Sequence, residues 1–138
     1  MKSNNWLKIV RPSLVAVLFV ILSSFRSDEV ISGDLAFLIG DYDLICVFDN
    51  GKKTEAAEVP DKYSVRITKK SEMLVYKNGK KLDKFRFSDV TLPVLDEHDY
   101  VMFYKKDQFY PLFYKGDTVV MHIYPYEFND NYFVKRKP

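Results

Sequence analysis

From about Leu38 to Lys137 the chain is a succession of short runs in which apolar and polar residues alternate, each ended by residues that favour turns. A period of two puts every second side chain on the same face of an extended strand, so each run reads as a half-buried strand. Tyr63, Val65 and Ile67, for example, alternate with Ser64, Arg66 and Thr68. Asn78-Gly79 separates the runs 73–77 and 80–88 and supplies the two positive-φ residues of a tight hairpin turn. In the return strand Phe85 and Phe87 have the two-residue spacing of one face, and Leu82 precedes them. Further turns are expected at Asp49-Asn50-Gly51, Lys106-Asp107 and Lys115-Gly116-Asp117, with Pro93 in a longer connection.

Eight strands follow, over residues 38–49, 62–69, 73–77, 80–88, 100–105, 109–114, 118–124 and 131–137. The first is read with Tyr42, Leu44, Cys46 and Phe48 on one face and Asp43, Ile45, Val47 and Asp49 on the other. Residues 53–59 are the best candidate for a short helix. Sequential strands joined by turns must hide their edges, and curling into an antiparallel up-and-down barrel is the simplest way. The expected fold class is therefore all-β, a barrel of about eight strands. A two-sheet sandwich is the alternative.

Ahead of this domain, Lys2, Lys8 and Arg11 precede the apolar run 14–22, and Ser23-Ser24 follow it. Only 14 residues separate Arg11 from Arg26, whereas a membrane-spanning helix takes roughly 20 apolar residues. The pattern reads as an export signal peptide or, uncleaved, a signal anchor over 1–27, then a polar linker at 28–35 and the barrel at 36–138. The expected location is periplasmic or extracellular, with membrane attachment only through the N-terminal segment. The leader holds 4 of the 21 basic residues and none of the 19 acidic ones, so the chain from Asp28 onward carries a net charge of −2. A slightly acidic domain with interspersed signs has no electrostatic footprint for nucleic acid. Cys46 stands alone, which excludes an intrachain disulfide, and its apolar neighbours mark it as a small buried hydrophobe.

Several segments resemble the lipocalin and calycin-like barrels. Gly40-Asp41-Tyr42 is similar to the Gly-x-Trp pattern that opens the first strand of that family, with Tyr42 in place of the tryptophan. Val94-Leu95-Asp96 with Asp99-Tyr100 resembles the family's acidic-tyrosine segment, with Glu97-His98 as extra residues. Arg136 on the last strand stands where the resemblance implies a cation packed over the first-strand aromatic, closing one barrel end. The resemblance implies a barrel mouth that takes a small apolar molecule, without catalysis.

The residues themselves give little support to chemistry. Asp96-Glu97-His98-Asp99 is the densest polar cluster, but it lacks the alternating oxygen ligands and glycine of a calcium loop. Zinc needs three or four convergent ligands, and the only other histidine, His122, lies in a different strand. Solvated loop for the cluster and hydrogen-bonded structural side chain for His122 are the preferred readings. Asp41 and Asp43 share a strand face in the manner of a wet strand end. No nucleophile elbow and no glycine-rich phosphate loop is present. No cofactor is expected.

Aromatic richness is the remaining signal, with 19 of the 111 residues from Asp28 onward being Phe or Tyr. That exceeds the evident need of a small core. The leading expectation is a non-enzymatic barrel binding a small hydrophobic or amphipathic molecule in an aromatic-lined mouth, with Tyr42, Phe85, Phe87, Tyr100, Phe103, Phe113 and Tyr124 as lining residues. The alternative is an envelope protein-interaction module of inhibitor or immunity type, which acts through the 92–100 connection or a strand edge on a protein partner. An enzyme with converging carboxylates and histidine is the third reading.

Overall fold

A strand at a sheet edge leaves a row of backbone N–H and C=O groups without partners, a demand that closure removes. The computed structural model describes residues 31, 33–95 and 98–138, and in it the last strand returns to the first. The expected leader at 1–27 lies outside the described residues. These form β1 (Gly40–Asp49), β2 (Lys52–Glu55), β3 (Tyr63–Ile67), β4 (Glu72–Lys77), β5 (Lys80–Ser88), β6 (Tyr100–Lys105), β7 (Gln108–Lys115), β8 (Thr118–Met121) and β9 (Asp130–Lys135). The strand order is β2-β1-β3-β4-β5-β6-β7-β8-β9, every pairing is antiparallel, and β9 also pairs with β1. Both β2 and β3 pair with β1, β2 along residues 46–49 and β3 along residues 40–43. The closed ring is thus the eight-stranded up-and-down barrel, compatible with a lipocalin-like architecture.

The hairpin signals act as their chemistry requires. Asn78 and Gly79 have φ of 53° and 79°, and both central residues of the turn therefore occupy the left-handed region. Residues 53–59 do not form the expected α-helix. Their first half completes β2, and Ala56–Glu58 make a single 3-10 turn.

Inward side chains fill the barrel. Val65 and Ile67 of β3, Met73 and Val75 of β4, Phe85 and Phe87 of β5, and Val101 and Phe103 of β6 meet Leu112, Val119, Met121 and Phe133 from the remaining strands. Phe103, Val119 and Phe133 expose no surface, and Phe87 meets Phe103 edge to face with ring centroids 6.2 Å apart. An eight-stranded ring is just wide enough for such side chains to occupy its interior.

Two β-bulges decide which side chains join this core. In β1 the register shifts between Leu44 and Cys46, so Ile45 is left exposed and Val47 joins Tyr42 and Leu44 inside. The single alternating face expected for Tyr42, Leu44, Cys46 and Phe48 is therefore broken. Cys46 is still buried, between Glu55 of β2 and Tyr132 of β9, and burial pushes its thiol pKa up. In β4 and β5, Val75 pairs with Asp83 but Tyr76 pairs with Lys81. Leu82 is the extra residue and is 45% exposed, while Asp83 falls into phase with Phe85 and Phe87.

One end of the barrel is plugged by a 3-10 turn, Gly33–Leu38, whose Leu38 is fully buried. Ile31 N–H donates to the buried Ser71 Oγ at 2.6 Å, and Phe37 packs edge to face on Tyr114. Tyr42 points into this end, and its hydroxyl donates to Leu38 O at 2.8 Å. Burial, with the Asp117 carboxylate adding, pushes that hydroxyl up to about 12. The β9 residue opposite Tyr42 is Lys135 rather than Arg136. Lys135 Nζ donates to Phe37 O at 2.7 Å and ties the plug to the last strand. Gly40 (φ +154°) leaves room for that side chain, since a Cβ there would lie 2.6 Å from Lys135 Cε. Arg136 instead donates from Nε and Nη2 to the two oxygens of Asp43, at 3.0 and 2.7 Å.

The bulge makes a direct contrast testable. Phe103→Ala is expected to cost about 3–5 kcal/mol through the cavity it leaves, whereas Leu82→Ala, outside the core despite its apolar character, is expected to stay within about 0.5–1 kcal/mol of wild type. Urea denaturation midpoints of the two variants measure the difference.

Candidate functional site

The seven aromatic residues expected to line one mouth occupy three separate places. Tyr42, Phe85, Phe87 and Phe103 lie within the barrel as part of its core. Tyr124 closes the end opposite the 3-10 plug. Tyr100 and Phe113 stand on the outer wall, because they alternate with the inward Val101 and Leu112.

At the end closed by Tyr124, the inward carboxylate of Asp83 organises a polar latch. The Tyr124 hydroxyl donates to Asp83 Oδ2 at 2.7 Å, and Lys105 Nζ pairs with Oδ1 at 2.5 Å. The Asp83 side chain is only 9% exposed. Burial opposes its ionisation, but the hydrogen bonds from Lys105 and Tyr124 outweigh that cost and hold the carboxyl below its ordinary value. Burial, and then the hydrogen bond to Asp83, raise the Tyr124 hydroxyl far above the usual tyrosine value. Beneath the latch, Lys105 Nζ lies 5.8 Å from the centre of the Phe85 ring, and Tyr110 packs edge to face on the same ring. The segment between β8 and β9 that carries Tyr124 is pinned by Asn131. Its buried amide Nδ2 donates to the carbonyls of Met121, Tyr126 and Asn129.

The outer wall carries a cleft of about 610 Å³. Its floor follows from sheet register. Tyr100 pairs with Phe113, Phe113 with Val120, and Val120 with Tyr132, so four strands contribute one continuous row of outward side chains. Phe113 is the centre of the row. The rings of His98 and His122 approach it with centroids at 5.6 and 5.5 Å, and Tyr100 tilts against it at 6.2 Å. Tyr132 is buttressed edge to face by Phe48. Polar groups form the walls, with Asp99 and Lys115 on one side and the pair of His122 Nε2 with Asp130 Oδ1, 2.9 Å apart, on the other. Asp99 also lies near Tyr114, whose hydroxyl is raised by burial and then by that carboxylate.

Alternation found Phe113 and Tyr100 as candidates but not their company. His98, Val120, His122, Asp130 and Tyr132 come from three separate stretches of chain, and only the tertiary structure brings them together. The one local signal was that His122 shares a strand face with Val120. Asp96 and Glu97, read with His98 and Asp99 as one polar cluster, lie outside the described residues. Asp41 and Asp43, the other carboxylate pair, face outward and are separately engaged by Arg66 and Arg136. Among the described residues no group of three or more His, Cys, Asp or Glu side chains converges in a manner that holds a metal ion.

The fold and cleft together define the class, a small closed antiparallel β-barrel with an aromatic-floored groove on its outer wall. No family model, curated protein or solved structure matches this chain.

The latch has a pH signature of definite sign. Asp83 titrates lower in the folded chain than in the unfolded one, so its contribution is present above about pH 4 and is lost as pH falls through the folded value. Tyr124 titrates higher when folded, so its contribution is complete below about pH 10 and is lost as pH rises further. Asp83→Asn is expected to lower stability by about 2 kcal/mol at neutral pH and to lose less on acidification than wild type does. Chemical denaturation across pH measures both.

Proposed function

We propose that this protein is an exported, non-enzymatic barrel that binds a small amphipathic molecule, a lipocalin-like role served by the cleft on its outer wall. One observation carries the reading, the opening of about 610 Å³ over Phe113. Small-molecule sites are concave openings of about 300–1,000 Å³ that combine an apolar floor with a few placed polar groups. Phe113, Val120 and Tyr132 provide such a floor, and the histidines and carboxylates around it offer donors and acceptors that fix a polar end.

The barrel interior is a poorer host. Phe85 and Phe103 occupy the space that a ligand would need, and the Tyr124–Asp83–Lys105 latch lies across the way in. Burying one aromatic ring of about 150 Å² in the outer cleft at about 25 cal/mol per Å² gives about 4 kcal/mol. Association entropy offsets part of this, so retention relies on the polar walls as well. The basic and apolar leader supports export, and the compartment follows from it.

The test is native mass spectrometry of the protein isolated gently from its source, before and after solvent extraction, beside the same preparation of Phe113→Ala. A small-molecule adduct is expected on the wild type, removed by extraction and depleted in the variant. Phe113 is only partly buried, so the variant is expected to fold, which its melting curve checks. A bare wild-type mass, an adduct indifferent to Phe113, or a stoichiometric protein partner in its place would overturn the proposal.

A further inference from the structure

The cleft holds charges of both signs beside two histidines. Among the described residues, the charged side chains that line it are Asp99 at the end of the connection between β5 and β6, Lys115 of β7 and Asp130 of β9. Its other titratable groups are His98, His122, Tyr114 and Tyr132. With both imidazoles neutral the lining sums to −1; with both protonated it sums to +1. Histidine is the side chain whose charge changes within the physiological range, so moderate acidification reverses the sign of the field over one aromatic floor.

Resting on the cleft reading above, we infer that the ligand is an organic cation, an ammonium group joined to an aromatic or similarly compact apolar body, and that acidification releases it. Three features of the neutral cleft select such a molecule. Phe113 and Tyr132 line the cleft, and an aromatic ring attracts a cation that reaches its face. Asp99 forms no ion pair with another described residue, and its carboxylate stands beside that floor. Asp130 is hydrogen-bonded by His122, a partner that leaves the carboxylate's charge uncompensated while the imidazole is neutral.

Acid acts through the same contacts. Once His122 is protonated, its ring becomes the counter-charge of Asp130 and displaces the ligand's ammonium from that carboxylate. His98, edge-on to Phe113 from the opposite side, adds a second positive charge over the floor. Lys115 opposes cation binding at every pH and limits the neutral-pH preference to that of one net negative charge.

The experiment is calorimetric titration of the isolated, solvent-extracted protein with three probes of one shape: 2-phenylethylammonium, 2-phenylethanol and phenylacetate. At about pH 7.5 the ammonium is expected to bind about fivefold more tightly than the alcohol, the worth of a unit charge at about 4 Å in water-like dielectric. At about pH 5.5, within the range where histidine charge changes, that preference is expected to vanish and phenylacetate to become the tightest of the three. Asp99→Asn is expected to remove most of the ammonium preference, weakening the ammonium more than the alcohol. His98→Ala combined with His122→Ala is expected to remove the pH dependence. Equal affinities for ammonium and alcohol at both pH values, with binding still lost in Phe113→Ala, would overturn the cation inference and leave the cleft standing. Failure of all three probes to bind in a Phe113-dependent way would overturn both.

Discussion

The pairing of β9 with β1 is the constraint from which the rest of this structure follows. β1 runs ten residues and has partners on both sides, β2 and β3 along one edge and β9 along the other. Closure gives both terminal strands of the ring their backbone partners and turns one sheet face into an interior. It also fixes the size of that interior. Eight strands enclose an interior just wide enough for side chains to fill, and Phe85, Phe103, Met121 and Phe133 lie in it. Polar ties reinforce the seam on its outer face, where Arg136 grips Asp43 and its backbone N–H donates to Asp41 O at 2.7 Å.

The packed interior leaves the remaining aromatics on the outer wall. Inward aromatics contribute to stability, and those of opposite parity are left on the outer wall, where Phe113, Val120 and Tyr132, in one cross-strand row, form a floor. The connections at its two ends then build the walls, bringing His98 and Asp99 from before β6 and His122 and Asp130 from the segment around β8 and β9. The same segment crosses the barrel end and is held there by Tyr124 on Asp83 and by the buried amide of Asn131. One connection therefore both closes the barrel and shapes the cleft.

Much of the fold was legible in the chain because strands write a local code. The alternation of Tyr63, Val65 and Ile67 needed no knowledge of partners, and Asn78-Gly79 names its own turn through the positive φ that both residues accept. Phe85 and Phe87 declared their face by spacing alone. The code failed where one residue was added to the count. The bulges at Ile45 and Leu82 leave no local mark, since a strand with a bulge and one without have the same composition. Val47 replaced Cys46 inside, and Asp83, rather than Leu82, came into phase with the two phenylalanines. The expectation that Arg136 would cover the first-strand aromatic missed by one residue, with Lys135 opposite Tyr42, because register across the barrel seam is a property of two strands that lie nearly a hundred residues apart.

The sequence by itself determined that the domain is all-β, where most strands and turns fall, and that it carries more aromatic surface than its core requires. Period-two patterning and turn chemistry act over a few residues, so they can be read without coordinates. Tertiary structure alone decided which aromatics were spent inside and which were left outside, that a carboxylate would face inward with Tyr124 and Lys105 as its partners, and that two histidines would flank Phe113. Those outcomes depend on ring closure, bulge placement and cross-strand register, and each of these relates residues that are neighbours in space and distant along the chain.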